Sequence, residues 1–288
     1  MENVIAFPAL GWSVTVNRVA LTVLGKDIYW YGVIIAAGFL LAALYCSRRI
    51  EQFGFTRDML FDALLVALPS AIVCARLYYV VWEWGYYSQH PGEIIAIWKG
   101  GLAIYGGVIG ALLAVSVYAK AKRLSIPGTF DVAALGLLIG QSIGRWGNFI
   151  NGEAHGTITD TLLGMTVNGE GPFHPTFLYE SVWNIVGFVV LHILSKRCYR
   201  FKGQIFLSYL IWYGAGRAWI EGLRTDSLYV GSTDIRISQV VAVVSCLVGM
   251  VLLVLSLRRG VDTLTQLINP HADARAVRIE TKKETQNP

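Results

Sequence analysis

Seven apolar runs constrain this chain more than any other feature. They lie near residues 28–46, 59–82, 102–119, 132–149, 179–194, 205–220 and 240–257. A helix of about nineteen residues, rising about 1.5 Å per residue, covers roughly 29 Å, close to the hydrocarbon thickness of a bilayer. Composition agrees: 55% of residues are hydrophobic and only 15% charged, against about 25% charged in soluble domains. The 9 Trp and 14 Tyr suit interfacial belts. The expected fold is therefore an all-α polytopic membrane protein with seven transmembrane helices.

The basic residues between the runs alternate in number. Arg48, Arg49, Arg57, Lys120, Lys122, Arg123, Lys196, Arg197, Arg200 and Lys202 fall on one side, joined by six more in the tail from Arg258 onward. The other side holds Arg18, Lys26, Lys99, Arg224 and Arg236. The positive-inside rule then puts the N-terminus outside and the C-terminus in the cytoplasm, as an odd number of crossings requires. Spread this way, the net charge of +5 gives no basic patch for nucleic acid. The expected organisation is an extracytoplasmic or interfacial segment over 1–27, a membrane domain over 28–257, and a basic cytoplasmic tail over 258–288, partly disordered. The connection 151–177 contains no Lys or Arg, faces outward, and reads as a small lobe or lid. Nothing in the first residues has the basic start and long apolar stretch of a cleaved signal. Cys46, Cys74, Cys198 and Cys246 lack metal-ligand spacing and read as small apolar residues.

Three arginines are left inside or at the ends of the runs: Arg76, Arg145 and Arg217. An embedded arginine costs about 2.5–3.5 kcal/mol on insertion scales, so each calls for a partner or a purpose. Tyr213, Arg217, Glu221 and Arg224 step by four, four and three, which places them on one helical stripe. An internal Arg217–Glu221 ion pair is the plain structural reading of that stripe. Arg76 can snorkel to the outer interface, and Asp62 in the same run reads as structural. Gly106 and Gly110 form a small-xxx-small face whose plain role is helix packing. Three guanidiniums from three helices would together suit a buried phosphate, the group their fork matches best. Asn148, one turn from Arg145, adds a neutral donor. A phospholipid headgroup is the leading reading; the alternative is a transporter or channel with an arginine-lined anion pathway. A metal-dependent headgroup transferase would need clustered aspartates, and only Asp62 and Asp131 lie in or beside a span.

The stretch "GRWGNFINGEAHG", 144–156, matches G-R-x-G-N-F-x-N-x-E-x-x-G at each fixed position. With "YWYGVI" at 29–34, "ARLYYV" at 75–80, "YGGVIG" at 105–110, "HPTFLYES" at 174–181 and "YGAGRAWIEGLR" at 213–224, the chain resembles the prolipoprotein diacylglyceryl transferases. The resemblance implies a bacterial inner-membrane enzyme with seven spans. Such an enzyme moves the diacylglyceryl group of phosphatidylglycerol to the lipobox cysteine of a preprolipoprotein signal peptide, releasing glycerol phosphate. It also implies the roles. Arg145 and Arg217 neutralise the headgroup and its developing charge, with Arg76 assisting, and Glu221 holds Arg217. Asn148, Tyr31, Asn151, Glu153 and Gly156 complete the phosphatidylglycerol site. No metal or organic cofactor is implied. Many members carry histidine where this chain has Tyr105; a phenol titrates near 10, so Tyr105 is expected to donate a hydrogen bond rather than act as the base. Phe177 stands where glutamine is common. His155 and His174 read as ordinary loop residues.

Overall fold

The computed structural model describes residues 2–225, 229, 233 and 235–259. The tail expected over 258–288 lies almost wholly outside the described residues. Each of the seven apolar runs is a helix: α1 Trp30–Arg49, α2 Arg57–Trp82, α4 Ile104–Ala121, α5 Ile126–Asn151, α6 Thr176–Arg197, α7 Gln204–Ile220 and α8 Ile237–Arg259. A single short turn, α3 Trp84–Tyr87, follows α2. Among the described residues, six of these eight helices are long and apolar enough to cross a membrane, all but α3 and α7. Their outer faces carry exposed Leu40, Leu65, Val81, Val117 and Val254. Hydrocarbon is the medium in which such faces are stable.

The chain divides into two compact units, Ser47–Phe130 and the described residues on either side of it. In the first, α2 packs on α4 through the glycine face anticipated from the sequence. A Cβ on Gly106 would fall 2.4 Å from the Cys74 carbonyl oxygen, and one on Gly110 would fall 2.5 Å from the Cys74 Cβ. The two backbones touch, and no larger residue fits between them. Tyr118 donates to Asp62 at 3.1 Å, so that aspartate ties α4 to α2.

In the other unit, α6 and α7 exchange indoles. Trp183 packs onto Gly216 and Trp212 onto Gly187. Each indole N–H donates to the other tryptophan's carbonyl, at 2.9 and 3.0 Å, and the rings stack 4.8 Å apart. Asp131 on α5 is fully buried and accepts from the backbone N–H groups of Gly203 and Phe206 and from the Tyr199 hydroxyl. It thus caps α7 from a neighbouring helix, satisfying donors the helix start leaves open.

The helical reading needs one correction: the fold is mostly helical rather than all-α. Strands β1 Glu2–Phe7 and β2 Trp12–Asn17 join β5 Met165–Val167 and β6 Glu170–Phe173 in an antiparallel sheet of order β2-β1-β5-β6. A second hairpin pairs β3 Val19–Val23 with β4 Lys26–Tyr29. β1 follows strand periodicity: Asn3, Ile5 and Phe7 point inward while Glu2 and Val4 face out. Ile5 and Phe7 pack with Met165, Val167, Phe149 and Phe177 into one core. The 151–177 connection is therefore part of a folded lobe seated on the end of α5 and the start of α6. Phe177, the departure from the glutamine common in the resembling family, is part of that core and 4.8 Å from the Phe149 ring.

Candidate active site

Within this second unit, three helices bring charge to one point. Arg145 from the last turns of α5 places a guanidinium nitrogen 2.5 Å from Oε2 of Glu180, one turn into α6. Arg217 of α7 donates to Oε1 of the same carboxylate at 2.8 Å and reaches Glu221 at 2.6 Å. After Ile220 the chain tightens into a 3-10 turn over Glu221–Leu223. That turn folds Arg224 back, 3.3 Å from Glu180 and 4.0 Å from Glu221. Arg236 donates to the Glu221 backbone carbonyl. Glu180 and Glu221 are buried, at 4% and 1% exposure, while the Arg145 side chain keeps 22%. Removing either carboxylate would leave uncompensated buried charge, a costly arrangement. The cluster is cation-rich, with three guanidiniums against two carboxylates.

Arg145 extends this cluster toward the lobe. It donates to Oδ1 of Asn148 at 3.2 Å, and the Asn148 amide donates to Glu153 at 3.1 Å, as does Asn151. Gly156 is held between two loop segments: its N–H donates to the His174 carbonyl, and it forms an isolated antiparallel bridge with Arg224. A Cβ there would fall 2.7 Å from the His174 Cβ, so only glycine lets the lobe close beside Arg224. Tyr31 lies flat on Gly147 of α5, where a Cβ would meet its ring at 2.7 Å. Tyr31 and Asn151 share a groove with Arg18, Ile28, Tyr29 and Gly32, about 580 Å³ in volume and within the range of ligand clefts. His155 stacks on Phe173, and His174 Nδ1 lies 3.3 Å from the Tyr179 hydroxyl.

The structure thus brings Arg145, Arg217, Glu221, Asn148, Asn151 and Glu153 into one network, with Gly156 and Tyr31 packed against its elements. Two site members went unassigned in the sequence reading. Glu180 is an acid within an apolar run, the same signal as an embedded arginine. Arg224 was expected on one helical stripe with Arg217 and Glu221 and counted among the outer-side charges, without a site role; α7 in fact ends at Ile220, and the 3-10 turn over Glu221–Leu223 brings Arg224 to Glu180.

Arg76 and Tyr105 belong to the Ser47–Phe130 unit. Arg76 is buried, and its guanidinium donates to four backbone carbonyls, those of Glu93, Ile94, Gly100 and Gly101, at 2.6–2.9 Å. It also lies 5.1 Å from the Tyr87 ring centre. That bonding organises the 93–101 loop and occupies the donors a headgroup would require. On the same loop, the Lys99 ammonium 2.7 Å from Glu93, helped by the Tyr86 hydroxyl, holds the Glu93 carboxyl below its ordinary range. Tyr105 stands in the first turn of α4, directly before Gly106.

Long apolar helices, three of which carry a buried arginine–glutamate cluster, define a polytopic membrane protein. The chain belongs to the prolipoprotein diacylglyceryl transferase family, whose model matches residues 18–255. Among similar proteins is the phosphatidylglycerol–prolipoprotein diacylglyceryl transferase of Bacillus velezensis, 44% identical over 257 residues, covering 85% of this chain and 94% of that protein. The protein of the same name from Bacillus licheniformis is 46% identical over 82% of this chain and 91% of its own length. That of Limosilactobacillus reuteri is 44% identical over 84% and 92%.

Proposed function

We propose that this chain transfers the diacylglyceryl group of phosphatidylglycerol to a prolipoprotein, the first step of lipoprotein maturation. The observation that carries the site assignment is the convergence of Arg145 and Arg217, from α5 and α7, on one buried carboxylate. Two guanidiniums on the two oxygens of one carboxylate, Arg145 at Oε2 and Arg217 at Oε1, present donors that also match the oxygens of a phosphate group. The acceptor is the lipobox cysteine of a signal peptide. Its sulfur attacks the glycerol carbon that bears the phosphate; the S–C bond forms as the C–O bond breaks. The electron pair of the broken bond leaves on the phosphate oxygen of glycerol phosphate, and the thiol proton is taken up by a base.

In this reading Arg145 and Arg217 bind the headgroup and stabilise the negative charge that grows on the leaving oxygen, where a preorganised cation acts most strongly. Glu221 holds Arg217 in its rotamer. Asn148, steadied by Glu153, adds a neutral donor, and Tyr31 and Asn151 line the groove beside it. Gly156 lets the lobe close over Arg224. Tyr105 serves as a hydrogen-bond donor, and Arg76 contributes by ordering the 93–101 loop.

The finer architecture is part of the same proposal. α7 has 17 residues, about 26 Å at about 1.5 Å per residue, so it spans as the seventh helix where the bilayer thins locally around it. Seven crossings put residues 1–27 and the 151–177 lobe outside and the segment from 258 in the cytoplasm, with the enzyme in the bacterial inner membrane. The test is direct. Purified protein with phosphatidylglycerol and a lipobox peptide should release glycerol phosphate, and a peptide with serine in place of the lipobox cysteine should release none. Absence of release with the cysteine peptide rejects the reading.

A further inference from the structure

We infer that Glu180 makes the arginine cluster discriminate between a phosphodiester substrate and a phosphate monoester product; this rests on the transferase reading above. Glu180 does more than bridge helices. Its Oε2 faces Arg145 at 2.5 Å, while its Oε1 takes Arg217 at 2.8 Å and Arg224 at 3.3 Å. The N–H groups it accepts from are those a phosphate would use. A phosphate reaching Arg145 and Arg217 therefore lies close to this carboxylate and feels its charge in a poorly solvated place.

Substrate and product differ in charge. The diester phosphate of phosphatidylglycerol carries one negative charge, whereas the monoester of glycerol phosphate carries about 1.5 to 2 near pH 7. Repulsion by a fixed carboxylate grows in proportion to the charge on the ligand. Glu180 therefore opposes the product more than the substrate, and the cluster releases the group it has just helped to form. Glu221 adds to the same field from the other side of Arg217. Arg236, at the Glu221 carbonyl, and Glu153, linked through Asn148, complete the charged surroundings; neither takes an Arg145 or Arg217 N–H that a phosphate would use.

A mere bridge would behave differently, because its loss disturbs the arginines equally for both ligands. The experiment uses the full chain in detergent micelles containing phosphatidylglycerol with a lipobox peptide. It measures KM for phosphatidylglycerol and the inhibition constant of added glycerol phosphate. For Glu180→Gln, the inhibition constant should fall about tenfold relative to KM, because one carboxylate charge is gone. For Glu180→Asp, which keeps the charge, the ratio should stay near that of the wild type. If Glu180→Gln does not accumulate folded, Glu221→Gln takes its place, with the same direction expected. An unchanged ratio in an active Gln variant, or an equal fall in the Asp variant, overturns the inference. A wild type that releases no glycerol phosphate rejects the transferase reading and this inference with it.

Discussion

Arg145 divides its guanidinium between Glu180 and Asn148, and of the paired arginines it keeps the largest solvent-facing share. It is the member of the cluster best placed to meet a ligand. Arg145→Ala should lower transfer by about 2–4 kcal/mol of transition-state stabilisation, a factor of tens to hundreds in rate. Glycerol phosphate release measures this; turnover near wild type would exclude Arg145 from the headgroup site. Arg217 is held by two carboxylates at once, each using a different nitrogen. Lysine keeps the charge but has no planar fork to divide. Arg217→Lys should therefore lose turnover by at least about tenfold, equivalent to ~1.4 kcal/mol. Full activity in that variant would make Arg217 a structural bridge and no more.

Among the elements, helix contacts are made where glycine lets backbone or a ring approach. At the α2–α4 contact the clearance is least forgiving: a Cβ on Gly110 would lie 2.5 Å from the Cys74 Cβ and 2.7 Å from the Ser70 carbonyl oxygen. Gly110→Leu should force the helices apart and destabilise the protein by about 1–3 kcal/mol or more. The measurement is the thermal midpoint in detergent; an unshifted midpoint would show that α2 and α4 do not pack this way. α7 depends on a cap that it does not supply. Its N-terminal donors go to Asp131 of α5, 73 residues before Gln204 by number. Asp131→Ala leaves those N–H groups unmatched and should lower stability by about 1–3 kcal/mol. The same thermal measurement should therefore show a lower midpoint, and an unchanged one would mean that the cap is dispensable.

For the whole molecule, orientation is the property most open to a decisive measurement. With the native cysteines replaced by serine, a single cysteine introduced at Thr161 in the lobe should react with a membrane-impermeant maleimide on intact spheroplasts. One at Lys122 should react only after permeabilisation. The opposite pattern would invert the topology that the basic loops imply.

The seven apolar helices were legible in the sequence because hydrophobicity is local. Each apolar run became a helix whatever its neighbours, since a backbone in hydrocarbon must satisfy its own hydrogen bonds. The glycine face of α4 and the Arg217–Glu221 pair were legible for the same reason, as both lie within one turn or two of a single helix. The sheets were not. β1 pairs with β5 across some 160 residues, Ile5 opposite Val167, and its short alternation has no partner until the lobe folds. Nor were the roles of Glu180, Arg224 and Arg76. Glu180 gains its meaning from arginines on two other helices, Arg224 from a turn that reverses it, and Arg76 from four carbonyls of a loop. The sequence by itself determined which segments form long apolar helices and which charges had to find partners. Tertiary structure alone decided which partners they found, because ion pairs and backbone hydrogen bonds depend on distances between segments that no local pattern encodes.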